Sequence, residues 1–362
     1  MSDPDAIVTA VKTGTVRTVY PRTVGRNARL GSHGSGGDTP VVVIETNTGH
    51  RGWGLVEGQQ RDASALVGRP VAELIDPAAG VLDPDLHWLD IALHDLAGML
   101  MDLPVHRMLG AAGSPTTPVY DGAIYFDDLD PEEQPRGLEV VLANCAADAT
   151  AGYRAFKLKI GRGNRWMDRE SGDQRDIAVT RAVRKAWPAA KILVDANDGY
   201  DCTGFLNYVD AVADCGLYWI EEPFLDDAAD LARLRTHLDS VSPDTLIAEG
   251  ETSPDVEQVM SIAAAGHIDI LLMDVMSFGV TRWRQLMPRV REIGVQASPH
   301  AWGRPLKTLY AAQLAAGLGQ VPIIEGVPGH TAGVDTSSYR FTGSALTVPD
   351  LPGFGLPVPV LD

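Results

Sequence analysis

Hydrophobic residues in the first third of the chain follow first the period of a strand and then the period of a helix. Three runs rich in β-branched residues, separated by turn residues such as Asn47 and Gly49, predict a small antiparallel meander; they are IVTAVKTGTVRTV, TPVVVIETNTG and RGWGLVEG. Leucines then recur at three- and four-residue intervals in HWLDIALHDLAGMLM, which predicts a helix. We therefore expect an α+β domain over residues 1–116.

Residues 26–37, between the first two runs, are rich in glycine and serine and have no periodic apolar pattern. This composition predicts a mobile loop. Such a loop could close over a binding site and shield it from water.

From about Pro118 onward, apolar runs are each followed by a helix-like segment. The runs are TPVYDGAI, RAFKLKI, KILVDAN, LYWIEEP, TLIAEGE, IDILLMDV, GVQASPH and VPIIEGV. Buried strands alternating with helices indicate parallel β/α units, and eight such units predict a closed barrel. Because the last run leads into Pro328 and Gly329 without a helix, we expect an α/β fold: a (β/α)7β TIM-like barrel over residues 117–327. Residues 328–362 are then expected to return to the N-terminal domain. The alternative, an open doubly wound sheet, is disfavoured because no glycine-rich dinucleotide loop follows a strand.

Composition and charge limit the classes of partner that the protein can bind. The chain has 362 residues and a formal net charge of −18, with no local cluster of Lys and Arg to offset it. Such a charge disfavours nucleic acid and anionic membrane surfaces. The three cysteines, Cys145, Cys202 and Cys215, form no C-x-x-C pair and predict no disulfide framework. With no apolar leader and no run long enough to span a bilayer, we expect a cytoplasmic protein, and we expect it to form a homo-oligomer.

Polar residues end the apolar strands, and in a parallel barrel these ends meet at one rim. The candidates are Lys157, Lys159, Asp195, Asn197, Glu221, Glu222, Glu251, Asp274, His300 and Glu325. From Asp195 to Glu325 one candidate recurs every 23 to 30 residues, which is the length of one β/α unit. We therefore expect these side chains to face a common site.

Asp195, Glu221 and Glu251 end three consecutive strands. Carboxylates gathered so closely repel one another and raise their pKa values unless a cation neutralises them. Oxygen donors with no cysteine or second histidine nearby favour Mg²⁺ over zinc. Taken singly, each acid is more often a helix cap or a surface ion pair, so the regular series carries the prediction.

Lys157 and Lys159 alternate on one strand and so point to the same side of it. Two adjacent ammonium groups depress each other's pKa, which can leave one neutral enough to act as a base. An isolated K-x-K is more often a solvated pair, but this one lies one strand before the three carboxylates.

Asp274 and His300 end the next two strands. Neighbouring strand ends are close enough for the carboxylate to hold the imidazole and fix its tautomer. A lone histidine here could equally be structural. Glu325 ends the eighth strand, where it could hydrogen-bond a substrate carboxylate if it is protonated or shares a proton.

At this point the residues resemble a known family, the mandelate racemase subgroup of the enolase superfamily. The matching motifs are K-L-K, V-D-A-N, I-E-E-P, A-E-G-E, the later Asp274 and His300, and Glu325; LDIALHDLAGMLMDLPVHRMLG is similar to the capping domain of that family. The chain departs from many relatives after Asp274, where it reads V-M-S-F-G-V-T in place of a lysine and a double glycine. This departure bears on substrate identity more than on mechanism.

The resemblance implies a Mg²⁺-dependent enzyme that removes the α-proton of a small-molecule carboxylate and stabilises the resulting enediolate. It implies metal binding by Asp195, Glu221 and Glu251, a base at Lys159 that Lys157 tunes, and a second proton-transfer group at His300, oriented by Asp274. Glu325 would stabilise the enediolate. A lysine or histidine base with Mg²⁺ is the general pattern of that superfamily.

Two proton-transfer groups on opposite faces of the α-carbon permit dehydration or racemisation. We favour dehydration of a sugar acid to a 2-keto-3-deoxy acid, which the resemblance implies is the commoner outcome. The alternatives are a racemase or epimerase and, more remotely, a barrel that binds sugar acids without converting them. Lactonising and dipeptide-epimerising relatives are disfavoured by the histidine at position 300.

Substrate contacts are harder to predict than catalytic groups. Polar residues near the first barrel strand, together with the loop and later strand ends, are candidates: His33, Tyr120, Asp121, Tyr125, Asn197 and Trp302. Trp302 could form one wall of the site. The sequence indicates no apolar aryl pocket of the mandelate kind.

Overall fold

The N-terminal unit is an antiparallel sheet backed by a helix. The computed structural model describes residues 5–57, 61–252 and 254–361. In order, the elements of this unit are β1 (Val8–Val24), β2 (Gly34–Thr46), β3 (Arg51–Leu55), the short pair β4 (Ile75–Asp76) and β5 (Gly80–Val81), α1 (Asp90–Met101) and α2 (Val105–Met108). The three long strands pair as a meander, and α1 packs across β3 at Gly52 and Gly54, where no side chain keeps the helix away. The predicted meander and helix are present.

Among the described residues of the following unit, eight parallel strands alternate with helices. They are β6 (Thr116–Ile124), α3 (Leu138–Thr150), β7 (Ala155–Lys159), α4 (Arg169–Ala186), β8 (Lys191–Asp195), α5 (Cys202–Val212), β9 (Trp219–Glu221), α6 (Ala228–Val241), β10 (Leu246–Glu249), α7 (Val256–Ala264), β11 (Ile270–Leu271), α8 (Gly279–Glu292), β12 (Gln296–Ala297), α9 (Pro305–Leu318) and β13 (Ile324–Gly326). Strands β6 to β12 pair in chain order, and β13 pairs with β6. The amide of Ala297 donates to the carbonyl of Gln320 at 3.1 Å, which links β12 to the segment before β13. The (β/α)7β barrel is confirmed, and the open doubly wound sheet is excluded.

Strand alternation separates the two faces of the barrel wall. On β7, Phe156 and Leu158 pack in the outer core with the helices, so Lys157 and Lys159 face the interior. On β8, Leu193 belongs to the interior cluster that fills the barrel, and Asp195 shares its face. The polar ends of the strands therefore stand on top of a packed apolar interior.

The stretch 26–37 is not the free loop that its composition predicts. Its last residues, 34–37, belong to β2, and Gly36 pairs with Val19 of β1. Gly36 has φ +127, and a Cβ there would come within 2.0 Å of the Thr18 carbonyl oxygen, so only glycine fits this pairing. The prediction of a loop is wrong for these residues. Their composition indicates a flexible backbone, but it does not reveal that β1 lies alongside and pairs with them.

The remaining part of that stretch is held against the barrel. Ala28 is fully buried against Gly161 and Gly199, which follow β7 and β8. The Trp166 indole nitrogen donates to the carbonyl of Asn27 at 2.6 Å, and the Asn164 amide donates to the carbonyl of Ala28 at 3.0 Å. These contacts fasten the N-terminal unit to the loops that carry the candidate site.

The chain after β13 contacts both units. Strand β14 (His330–Ala332) pairs with β1, whereas the hairpin of β15 (Arg340–Thr342) and β16 (Ala345–Thr347) pairs with β6 of the barrel. The carbonyl of Leu356 accepts a hydrogen bond from the Trp53 indole at 3.2 Å. The boundaries at residues 116 and 327 stay a prediction. Within the described ranges, no helix combines the length and the apolar content needed to cross a bilayer.

Asp95 of α1 joins this tail to the sheet. Its Oδ2 accepts from the Trp53 amide at 2.9 Å and its Oδ1 from the Phe354 amide at 2.8 Å, and the side chain is buried. We expect Asp95→Ala to lower the free energy of unfolding by roughly 2 to 6 kcal/mol, because each of the two buried donors left unpaired costs about 1 to 3 kcal/mol. Urea unfolding measures this loss.

Asp214→Ala serves as the control, since Asp214 is 69% exposed and pairs with Arg181 at the surface. It should lower the free energy of unfolding by no more than about 1 kcal/mol. Equal losses for the two variants would contradict the anchoring role of Asp95.

Candidate active site

Three carboxylates from successive strand ends converge at the barrel rim. Ligand oxygens of Asp195, Glu221 and Glu251 all lie within 4.8 Å of one another. Asp195 and Glu221 are buried, and the Trp219 indole donates to Glu221 Oε2 at 3.0 Å. Burial raises the pKa of Glu221 well above its ordinary value, and the neighbouring acids add to this effect against the attraction of Lys157. So compact a set of acids calls for a cation.

The donor set fits a metal ion. Buried Oε2 of Glu251 has no hydrogen-bond partner within the described part of the chain, so one oxygen is left available for a ligand. Carboxylate oxygens are hard donors suited to Mg²⁺, Ca²⁺ or Mn²⁺. Asp195, Glu221 and Glu251 could therefore hold a divalent metal ion.

Both predicted lysines lie among these acids. Lys157 Nζ is 2.6 Å from Glu221 Oε1, 2.9 Å from Glu325 Oε1 and 3.2 Å from Asp195 Oδ2. Lys159 Nζ donates to Asp195 Oδ2. Both ammonium groups are buried. Each is therefore a counterion of the acidic set.

The expected mutual depression of the lysine pKa values is wrong as a net result. Burial lowers the pKa of Lys157, but Glu221 and Glu325 outweigh it and raise this pKa well above its ordinary value. Burial and Lys157 both lower the pKa of Lys159, but Asp195 outweighs them. The sequence places the two lysines together but does not reveal how closely each meets a carboxylate.

Asp274 and His300 form the predicted pair. Nδ1 of His300 is 2.9 Å from Asp274 Oδ2, and Nε2 is 3.2 Å from Glu251 Oε1. Burial lowers the pKa of His300, but Glu251, Glu325 and the bond to Asp274 outweigh it and raise this pKa. The imidazole is thus oriented through one nitrogen, and its other nitrogen is directed at the acidic set.

Glu325 is held as an ionised carboxylate. Its Oε2 accepts from the Ala301 amide at 2.9 Å, and its Oε1 faces Lys157. Burial raises its pKa, but Lys157 and His300 outweigh burial and lower it. Of the two states that the sequence leaves open, the contacts favour the charged one over the protonated one.

A cavity of about 480 Å³ opens beside these groups towards the N-terminal unit. Its wall includes Glu251, Asp274, His300, His33 and Trp302. The Trp302 ring stacks on Tyr20 with centroids 5.8 Å apart, and it lies 4.9 Å from Tyr125 and 6.2 Å from His33. The rings of Tyr20, His33 and Trp302 form one aromatic side of the cavity, whereas Tyr125 packs on His33 and Trp302 without being part of the wall that the described residues form. His33 and Trp302 are therefore candidate substrate contacts, and Tyr125 is not.

The other predicted substrate contacts lie elsewhere. Tyr120 packs inside the barrel with its ring 5.2 Å from that of Trp219. Asp121 is buried, and its Oδ1 accepts from the Ala123 amide. Asn197 donates from its backbone amide to Asp195 Oδ1 at 3.0 Å and from its side chain to Glu222 Oε2 at 3.3 Å. Tyr120, Asp121 and Asn197 are not part of the cavity wall that the described residues form.

Part of the cavity wall is not predicted from the sequence. Thr18, Tyr20, Asp38, Thr39 and Glu57 come from the N-terminal unit, and Arg304 and Lys307 follow the seventh barrel strand. Strand alternation gives no signal for the first group, because their contact with the cavity depends on how the two units dock. Lys307 does carry a signal, because it is the one charged residue in the helix sequence PLKTLYAAQLAAGL.

Acid–base groups beside a set of carboxylates that could hold a metal ion, at the carboxyl end of a parallel barrel, are typical of an enzyme active site. Comparison with known proteins adds the family. The family model described as "Enolase C-terminal domain-like" matches residues 141–359, and the chain therefore belongs to this family. The resemblance read from the motifs is confirmed.

Several relatives are sugar-acid enzymes. D-galactarolactone cycloisomerase of Agrobacterium fabrum is 26% identical over 352 residues, which cover 88% of each chain. The galacturonate dehydratase of Geobacillus sp., solved with D-galacturonate and 5-keto-4-deoxy-D-galacturonate, superposes with a TM-score of 0.90 at 29% identity, covering 99% of this chain and 95% of that one. A variant of the same dehydratase complexed with Mg superposes with a TM-score of 0.90 at 28% identity, covering 98% and 93%.

The acidic set predicts metal-dependent stability. Adding a divalent metal salt at about 100 times its Kd should stabilise the protein by about 2.7 kcal/mol, since the ion binds only the folded site. Glu251→Gln should reduce the accompanying rise in Tm, because an amide is a poorer ligand for a hard cation. Thermal unfolding with and without the metal measures both effects.

Glu257→Gln is the matched control, because Glu257 is 74% exposed and pairs with Arg289 away from the site. It should keep the full metal-induced rise. A full rise in Glu251→Gln would show that Glu251 is not a ligand.

Proposed function

We propose that this protein is a Mg²⁺-dependent dehydratase of a sugar acid. The supporting observation is that Lys159 and His300 contact different members of one set of carboxylates. Lys159 contacts Asp195, and His300 contacts Glu251. A substrate carboxylate bound at this set would have its α- and β-carbons between the two groups. That arrangement suits removal of a proton by one group and delivery of a proton by the other.

Asp195, Glu221 and Glu251 would hold the ion, and their oxygen-only character together with the Mg complex of the relative favours Mg²⁺. Held there, the ion would supply positive charge that stabilises negative charge on a substrate carboxylate. Burial and the neighbouring Lys157 favour the neutral form of Lys159, whereas Asp195 favours the ammonium form. The proposal requires the neutral form, in which Lys159 can act as a base.

The chain's own groups then account for the reaction. Neutral Lys159 takes the α-proton, and the electrons of the C–H bond move into the carboxylate to give an enediolate. Lys157, which contacts Glu221 and Glu325, supplies positive charge close by. Protonated His300 gives its Nε2 proton to the β-hydroxyl as the β-carbon–oxygen bond breaks. Water leaves, and the enol that remains becomes the α-keto acid by moving one proton to the β-carbon.

The relatives widen the substrate class. The keto and deoxy positions in 5-keto-4-deoxy-D-galacturonate, counted from its carboxylate, are the α- and β-carbons. This is the same outcome as a 2-keto-3-deoxy acid formed from an aldonic or aldaric acid. The cavity of about 480 Å³ lies in the range usual for small ligands. Uronic acids therefore join aldonic and aldaric acids as candidate substrates.

An isomerase is the second candidate. The same proton-transfer groups could return a proton to the α-carbon, as in a racemase or epimerase, and one relative is a cycloisomerase. A barrel that only binds sugar acids is disfavoured, because the charged groups that such a protein would not need all meet at one site. The cytoplasmic location and the homo-oligomeric state stay predictions.

The two proton-transfer groups can be separated by substitution. Lys159→Met and His300→Asn should each lower the rate of product formation by at least about 10²- to 10⁴-fold, the usual contribution of an acid or base. In D₂O, His300→Asn should still exchange the α-proton of recovered substrate, whereas Lys159→Met should not. Proton NMR follows the exchange.

The paired outcome decides between the assigned roles. Loss of exchange in His300→Asn together with its retention in Lys159→Met would reverse the roles of the two residues. Unchanged product formation in both variants would remove them from the mechanism.

The net reaction is decided by the mass of the product. Incubation with a library of uronic, aldonic and aldaric acids and Mg²⁺ should give a product lighter by one water that reacts as a ketone. Chelation of the metal should stop its formation. An unchanged mass with an inverted α-carbon would reject dehydration in favour of the racemase or epimerase.

A further inference from the structure

Helix α9 carries one charged side chain, Lys307. The helix runs from Pro305 to Leu318, and every residue from Leu306 onward is buried. Lys307 is 2% exposed. Burying an ammonium group costs several kcal/mol unless a nearby anion compensates it. A lysine at this position therefore needs a compensating contact, and its partner shows what it does.

The partner is Asp274, the residue that orients His300. Lys307 Nζ donates to Asp274 Oδ2, the same oxygen that lies 2.9 Å from His300 Nδ1. Asp274 Oδ1 accepts from the amides of Met276 and Ser277 at 2.8 Å and 2.9 Å. Both carboxylate oxygens are thus held, one by the backbone and one by Lys307 together with His300.

Lys307 and His300 share one oxygen of a buried carboxylate. Asp274 is 6% exposed, so a carboxylate there that lost its partners would be costly and would tend to move. Without Lys307, Asp274 Oδ2 would keep His300 as its side-chain partner among the described residues. The position of the imidazole would then be less closely fixed.

We propose that Lys307 is a positioning residue for His300, acting through Asp274. The inference rests on the proposed function and adds to it, because it assigns Lys307 to the step that expels the β-hydroxyl. Among the described residues, Lys307 forms its ion pair with Asp274 and not with the acids of the metal set. Its removal should therefore leave α-proton abstraction in place.

The experiment compares Lys307→Met with the unmodified protein in D₂O, using a substrate that the unmodified protein dehydrates. Elimination should slow by about 10- to 100-fold, the usual effect of losing a group that orients a functional residue. Exchange of the α-proton should persist, so the ratio of exchange to elimination should rise by the same factor. Because Lys307 also lines the cavity, a rise in KM with an unchanged ratio would instead identify it as a substrate contact and overturn the proposal. Lys307→Arg should recover part of the elimination rate.

Two further variants separate positioning from a general structural role. Lys191→Met removes a lysine by the same substitution at the start of β8, the end of the barrel opposite the site, and should leave the ratio unchanged. In an Asp274→Asn background, adding Lys307→Met should cause little further loss, since the two residues act on one path. Parallel loss of exchange and elimination in folded Lys307→Met would overturn the proposal, as would no loss of either.

A spectroscopic measurement tests the inference without relying on turnover. The Nδ1 proton of His300, bonded to Asp274, should give a downfield proton resonance that disappears in Asp274→Asn. Lys307→Met should shift or broaden this resonance, and Lys191→Met should leave it unchanged. An unaltered resonance in Lys307→Met refutes positioning even if no sugar acid is converted, whereas conversion of none of the acids by the unmodified protein refutes only the proposed function.

Discussion

Repulsion between carboxylates in a buried barrel mouth is the constraint around which the rest of the site is arranged. Asp195, Glu221, Glu251 and Glu325 lie within reach of the same cations. Asp195, Glu221 and Glu325 are buried and Glu251 is partly exposed. Anions so close together repel one another unless cations compensate them. Compensation comes from two lysines on β7, from His300 and, in the proposed holoenzyme, from a divalent ion. The groups that perform chemistry are thus also the groups that allow the acids to be buried.

The backbone contributes to this arrangement at the strand ends. Asn197 and Glu222 follow metal-ligand candidates with φ angles of +43° and +41°, a region that non-glycine residues rarely occupy. Such conformations cost about 1 to 3 kcal/mol each and persist only where the surroundings impose them. Here the Asn197 side chain bonds Glu222, and its amide bonds Asp195. The strained turns therefore hold neighbouring acids in place.

Features that repeat along the chain were accessible from the sequence. The barrel, its seven helices and the gathering of the rim residues all follow from strands that recur at the length of one β/α unit and present alternate residues to one face. Asp274 and His300 were paired correctly because neighbouring parallel strands end side by side. Each of these features follows from a local sequence pattern, because the barrel repeats the same unit and brings equivalent positions to the same rim.

Features that depend on how the N-terminal unit docks on the barrel, or on contacts between distant strands, cannot be predicted from the sequence. The glycine-rich stretch looks flexible in composition, but β1 pairs with part of it and barrel loops bind the rest. Which residues of the N-terminal unit line the cavity depends on the angle at which the two units meet. No pattern of residues along the chain predicts that angle. The pKa directions of Lys157 and Lys159 depend on distances of a few ångströms to carboxylates on other strands. Long-range contacts of this kind leave no periodic pattern in the sequence.

The contact of Ala28 with Gly161 and Gly199 has an evolutionary consequence. A Cβ on either glycine would lie 2.9 Å from the Ala28 Cβ, so the three positions accept only very small residues together. Exchange of N-terminal units between related barrels would succeed only when the donor and the recipient agree at this contact. Thr18 lines the cavity and takes no part in this contact, so the size limit at Ala28 does not apply to it.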